Sequence, residues 1–165
     1  MARTIRPLAA ALALALAGVA PAAPDGGLVL VLENAERGRR VAVALPPGGR
    51  FSVTSRHSMY DAPVTETFVL REDGRIVLRR VSSSSAAVRE YLGLTAAGED
   101  HAVERVLPEI VFRIAMGEPQ RLRAGGLDLS FLELGQHGDR LVMRAAPRGD
   151  ERRGAGRGRG PVAGP

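Results

Sequence analysis

Residues Phe51 to Leu70 read FSVTSRHSMYDAPVTETFVL, and the fold class turns on this stretch. Two runs, Phe51 to Ser58 and Val64 to Leu70, are rich in apolar and β-branched residues, and Met59 to Pro63 between them carries turn residues. Apolar residues recurring every second position mark a half-buried strand, so the stretch reads as a β-hairpin. On that parity Phe51, Val53, Ser55 and His57 share one face of the first strand, and Val64, Glu66, Phe68 and Leu70 share one face of the second. An even loop centred between Asp61 and Ala62 pairs Val53 with Leu70, Ser55 with Phe68 and His57 with Glu66. Directly opposed Cβ atoms lie about 5 Å apart, within reach of a hydrogen bond. The pairing is conditional on loop length, because an odd loop breaks the register.

A histidine and a glutamate on an apolar face are costly unless they satisfy one another. Two readings follow. The glutamate orients the imidazole of a base or a ligand-gripping site, or the pair is a polar clamp that fixes hairpin register. Ser58 follows His57 directly, yet a strand sends it to the opposite face, so these residues make a poor Ser-His-acid triad. His57, Ser58 and Glu66 are the candidate contact residues; no catalytic residue is assigned.

Outward from the hairpin, the same short segments recur at intervals of roughly 8–12 residues. Leu28 to Glu33 and Arg40 to Leu45 precede it, and Pro46-Pro47-Gly48-Gly49 forces a turn. Asp73-Gly74 leads into Ile76 to Ser82; Glu109 to Met116, Gln120 to Ala124, Leu127 to Leu134 and Asp139 to Ala145 follow. This is the pattern of an all-β chain: an antiparallel β-sandwich or partly open barrel of about eight to nine short strands. The exception is Ser83 to Leu107, a short helical or irregular insertion. Ala86 to Leu92 and Glu99 to Val106 each suit a short helix, with Val103, Val106 and Leu107 sharing a face that would lid an open end; the other reading is an irregular crossover.

The ends differ from the middle. Residues 1–22 begin with Arg3 and Arg6, continue through an uncharged run from Leu8 to Ala20 and end in Ala20-Pro21-Ala22, the layout of a secretory signal peptide. The run is shorter than the roughly 20 apolar residues of a membrane span. The mature protein is therefore expected to be exported, periplasmic or extracellular, with residues 23–147 as the folded domain. From residue 148 onward the composition collapses to Arg, Gly, Ala and Pro, which cannot bury a core and reads as a disordered tail. The chain has no cysteine, which excludes a disulfide framework and a thiolate metal site.

The net charge of +5 comes from those ends, +2 from Arg3 and Arg6 and +3 from residue 148 onward, so the folded part is neutral. A neutral domain lacks the basic face that nucleic-acid binding needs. Ser82-Ser83-Ser84-Ser85 lacks a nucleophile elbow, and His57, His101 and His137 lack metal-ligand spacing. Arg148-Gly149-Asp150 and the Arg/Gly repeat after it read as solvated tail. Aromatic residues are too scarce for an aromatic carbohydrate platform. No cofactor is expected.

With these residues in view, the chain resembles the bacterial family called domain of unknown function 1850. The likeness rests on Phe51, on Arg56-His57-Ser58, on Pro63-Val64-Thr65-Glu66-Thr67-Phe68, on Leu107-Pro108-Glu109 and on the Leu122 to Leu134 strands. It spans roughly residues 28–146. Relatives continue with a Gly-Ala-Gly-Leu-Pro-like stretch, where this chain has Ser85-Ala86-Ala87-Val88-Arg89-Glu90-Tyr91 without those glycines and proline. The resemblance implies a small exported β protein, often encoded beside tripartite TRAP-type transporters whose solute receptors are of the TAXI class. It implies no activity, and it marks His57, Ser58 and Glu66 as the site. The expectation is a non-enzymatic extracytoplasmic accessory protein, with a TRAP-type permease or TAXI-class receptor as partner. The alternatives are a stand-alone small-ligand-binding β-sandwich and a hydrolase using His57 and Glu66.

Overall fold

The computed structural model describes residues 27–46 and 48–149. The expected signal peptide and all of the tail beyond residue 149 lie outside them. Ten strands form two antiparallel sheets. The first sheet holds β1 (Leu28–Asn34), β2 (Arg39–Ala44), β7 (Glu109–Arg113) and β10 (Arg140–Pro147), in the order β2-β1-β10-β7. The second holds β3 (Arg50–His57), β4 (Ala62–Leu70), β5 (Ile76–Ser82), β6 (Asp100–Leu107), β8 (Arg121–Ala124) and β9 (Leu127–Ser130), in the order β6-β5-β4-β3-β8-β9. The sheets do not close into a barrel. Among the described residues no helix is long and apolar enough to cross a membrane.

The core follows strand alternation. Leu30 and Leu32 from β1, Leu141 and Met143 from β10, and Phe51, Val53, Phe68, Ile76 and Leu122 from the second sheet are buried together. Phe51 stacks on Phe68 at 5.1 Å between ring centres, which is the cross-strand pair at that level of the hairpin. Phe112 meets Phe131 edge-on at 5.0 Å, fixing β7 over the turn that follows β9. That turn is a short 3₁₀ segment, Phe131–Glu133, where the sequence pattern predicts continued strand. Ser130 and Glu133 close a capping box there: the Ser130 hydroxyl accepts from the backbone, and the Ser130 backbone N–H donates to Glu133 at 2.8 Å.

The insertion is half as expected. Ala86–Tyr91 is a helix, α1, capped by Ser85, whose hydroxyl accepts from the Val88 N–H, and it buries Val88 completely. The expected second helix is instead strand β6. Val103 and Leu107 pack against the core, but from a strand and not from a helical lid. The reason is backbone demand. β5 has one edge on β4, and its other edge needs a hydrogen-bonding partner, which β6 supplies from Ile76↔Leu107 to Ser82↔Asp100.

Polar residues join the β1–β2 turn to the loop before β10. The buried Asn34 amide donates to the Leu134 carbonyl at 3.2 Å and to Asp139 at 3.0 Å, and Arg37 pairs with Asp139. Gly135 lies under this contact: a Cβ there would stand 2.6 Å from both the Asn34 amide nitrogen and an Asp139 oxygen.

Candidate functional site

The β3–β4 hairpin turns more tightly than the sequence suggests. Val53 lies opposite Glu66, Ser55 opposite Val64, and His57 opposite Ala62. The expected His57–Glu66 pairing is therefore corrected: the turn centres between Met59 and Tyr60, and Glu66 sits four residues along β4 from the partner of His57. Four residues of strand span about 13 Å, too far for a hydrogen bond. The cause lies in the turn. Arg56 donates from its guanidinium to both the carboxylate and the carbonyl of Asp61, and Asp61 adopts the left-handed conformation, φ 46°. Ala62 and Pro63 are thereby drawn into β4. Because the centre moves by two residues, an even shift, every side chain keeps its predicted face.

His57 ends β3 among aromatic rings instead of beside a carboxylate. Its ring lies 5.2 Å from Tyr60 and 4.8 Å from Tyr91, the latter edge-on, and the two tyrosines are 6.1 Å apart. These are the only two tyrosines in the sequence. Tyr60 comes from the hairpin turn and Tyr91 from the last turn of α1. The helix is placed by burial of Val88, by the Ser85 cap and by Arg89, whose guanidinium donates to the Ser83 carbonyl at 2.8 Å. His57 Nδ1 is buried without a hydrogen-bond partner.

The surface of this cluster is apolar. Met59 is 66% exposed, Tyr60 39%, Tyr91 59% and Leu92 41%. Four of the seven large hydrophobic residues exposed among the described residues are thus found in two short segments that meet at His57. Ser58, the first turn residue, is exposed. Glu66 stands apart, half-buried on the inner face between Val53 and Val81. Burial pushes its carboxyl above the ordinary glutamate range, and the positive charge of Arg105 offsets only part of that.

Of the three residues picked from sequence, His57 and Ser58 are neighbours at the hairpin tip, and Glu66 belongs to a different level of the sheet. Sequence reasoning missed Tyr60, Tyr91, Met59 and Leu92. The signal was present in the scarcity of aromatic residues: both tyrosines lie within segments already marked as a turn and a short helix, but nothing in local spacing brings residues 60 and 91 together. The remaining histidines are elsewhere. His101 is buried with Nε2 3.0 Å from the Gly98 carbonyl, and His137 Nδ1 meets the Ala115 carbonyl. Among the described residues no three His, Asp or Glu side chains gather as a metal site. A cleft of about 110 Å³, lined by Leu28, Leu45, Pro46 and Leu70 with Arg71 and Glu72, lies at the far end of β4 from the cluster. Chemically, the His57 cluster offers ring faces, a thioether and an imidazole at the surface, which suits contact more than bond-making. Comparison with models of known families, with curated proteins and with solved structures finds no match.

Proposed function

We propose that the protein is a non-enzymatic, extracytoplasmic accessory protein that binds another protein through the His57 end of the β3–β4 hairpin. One observation carries this reading: both tyrosines close on His57 and, with Met59 and Leu92, leave an exposed apolar patch. Aromatic residues and methionine are enriched at the centres of protein interfaces, where they supply large contact area at low entropy cost. A hydrolase built on His57 and Glu66 finds less support, since the glutamate lies on another level and Ser58 is no partner for the imidazole. The secretory layout of residues 1–22 argues for export. The likeness to domain of unknown function 1850 argues that the partner is a TRAP-type permease or its TAXI-class solute receptor.

The test is co-purification after mild crosslinking in the producing cell, with the wild-type chain and with Tyr91→Ala. The expected result is recovery of a TRAP permease subunit or a TAXI-class receptor with wild type and its loss with the variant. Recovery of neither, or equal recovery by both chains, overturns the reading.

A further inference from the structure

The charges around His57 bear on the kind of surface the patch receives. We infer that the patch docks a protein segment in which an apolar side chain is bracketed by lysine or arginine; this rests on the contact reading above. The apolar centre is Met59, Tyr60, Tyr91 and Leu92. Each tyrosine is preceded or followed in the chain by an acid, Glu90 before Tyr91 and Asp61 after Tyr60. Both acids are exposed.

The nearby charges are three acids, Asp61, Glu90 and Glu118, against two guanidiniums, Arg56 and Arg89. Arg56 is the single guanidinium for two carboxylates, Asp61 on its own hairpin and Glu118 at 3.3 Å on the β7–β8 loop. Arg89 is turned to the Ser83 carbonyl. Glu90, by contrast, directly precedes the exposed Tyr91 and forms no ion pair among the described residues. The rim therefore carries one net negative charge beside an aromatic centre, with Glu90 as the acid left to pair.

That combination selects among occupants. Residues on a two-fold axis meet their own copies, so a second copy that brought Glu90 to the axis would set acid against acid, and like charges in contact are penalised. An anionic lipid surface meets the same repulsion. A basic segment gains twice, from the Glu90 carboxylate and from the tyrosine faces, on which a guanidinium or ammonium is held by cation–π attraction. Its apolar residue packs against the exposed tyrosine rings. In interfaces of this kind the buried anchor carries most of the affinity and the charges set partner choice and encounter rate.

The experiment is selection from a random dodecapeptide phage library on the full chain, purified from the cells that make it, with Tyr91→Ala and Glu90→Lys run in parallel. Both substitutions fall on exposed side chains, and circular dichroism checks that the β fold is retained. The enriched peptides are expected to carry a large apolar residue flanked by lysine or arginine. Synthetic copies are expected to lose about tenfold in affinity or more on Tyr91→Ala, and several-fold on Glu90→Lys. Acidic or uncharged winners, binding unaffected by Tyr91→Ala, or no enrichment at all overturns the inference. So does Tyr91-dependent dimerisation of the free chain in sedimentation, or Tyr91-dependent flotation with phosphatidylcholine–phosphatidylglycerol vesicles. A basic peptide preference with no TRAP component recovered from cells would sink the transport assignment and leave this inference standing.

Discussion

Glu66 and His57 both face inward from the hairpin, yet they carry unequal burdens. Glu66 holds a half-buried carboxylate with no hydrogen bond, and burial raises its pKa. An acid whose folded pKa lies above its unfolded value binds its proton more tightly in the folded state. Its ionisation therefore costs stability as pH rises from the unfolded value through the folded one, and the protein gains on the acid side of that window. Glu66→Gln removes this cost, so at pH 7 the variant is expected to be at least as stable as wild type. Its advantage over wild type is expected to shrink as pH falls from 7 to 4, read as the difference between the two urea midpoints at each pH. A clear loss of stability at pH 7 would show that the carboxylate has a partner. At His57 the expectation is different: the ring packs between two tyrosines, so His57→Ala opens space at the surface and exposes both rings. Tyrosine fluorescence should shift toward that of free tyrosine, with a stability loss of about 1 kcal/mol.

At the scale of elements, α1 is held by few contacts, and they can be removed one at a time. Ser85→Ala deletes the cap at a cost of about 1 kcal/mol. Val88→Ala empties a fully buried position and costs about 2 kcal/mol, and it loosens Tyr91 as well, because the same helix presents both side chains. Chemical denaturation measures the first effect, and faster amide exchange over residues 86–92 the second. The two sheets were legible in the sequence because alternation is a local signal. Nine of the ten strands coincide with apolar segments bounded by Gly, Pro or Asp. β6 was not legible: Asp100 to Leu107 carries charges at Asp100, Glu104 and Arg105, as edge strands do, and those charges blur the alternation. The faces of the hairpin were also legible, while its register was not. Register was fixed by one arginine reaching over a four-residue turn to an aspartate in a left-handed conformation, and no spacing rule contains that contact.

Across the whole molecule, the Asn34–Asp139–Arg37 contact joins segments about a hundred residues apart. The Arg37 guanidinium above all, then the Gln136 N–H and the Asn34 amide, hold the Asp139 carboxyl down at about 2. A depressed acid stabilises the fold above its unfolded pKa, near 3.8, and that contribution is lost as pH falls toward 2. Asp139→Asn is therefore expected to be less stable than wild type at pH 6 and to lose less on going to pH 2; urea titrations at the two pH values measure both. Gly135→Ala drives a methyl group into the same contact and is expected to cost about 1–3 kcal/mol.

His57 belongs to a tyrosine cluster and not to a His–Glu dyad. The direct measurement is the nuclear Overhauser spectrum of the His57 ring in the folded protein, simplified by a chain with three histidines and two tyrosines. The predicted result is cross-peaks from the His57 ring to the ring protons of both Tyr60 and Tyr91, with cross-strand contacts joining His57 to Ala62 and Val53 to Glu66. Cross-peaks from the His57 ring to the Glu66 side chain, with none to Tyr91, would contradict it.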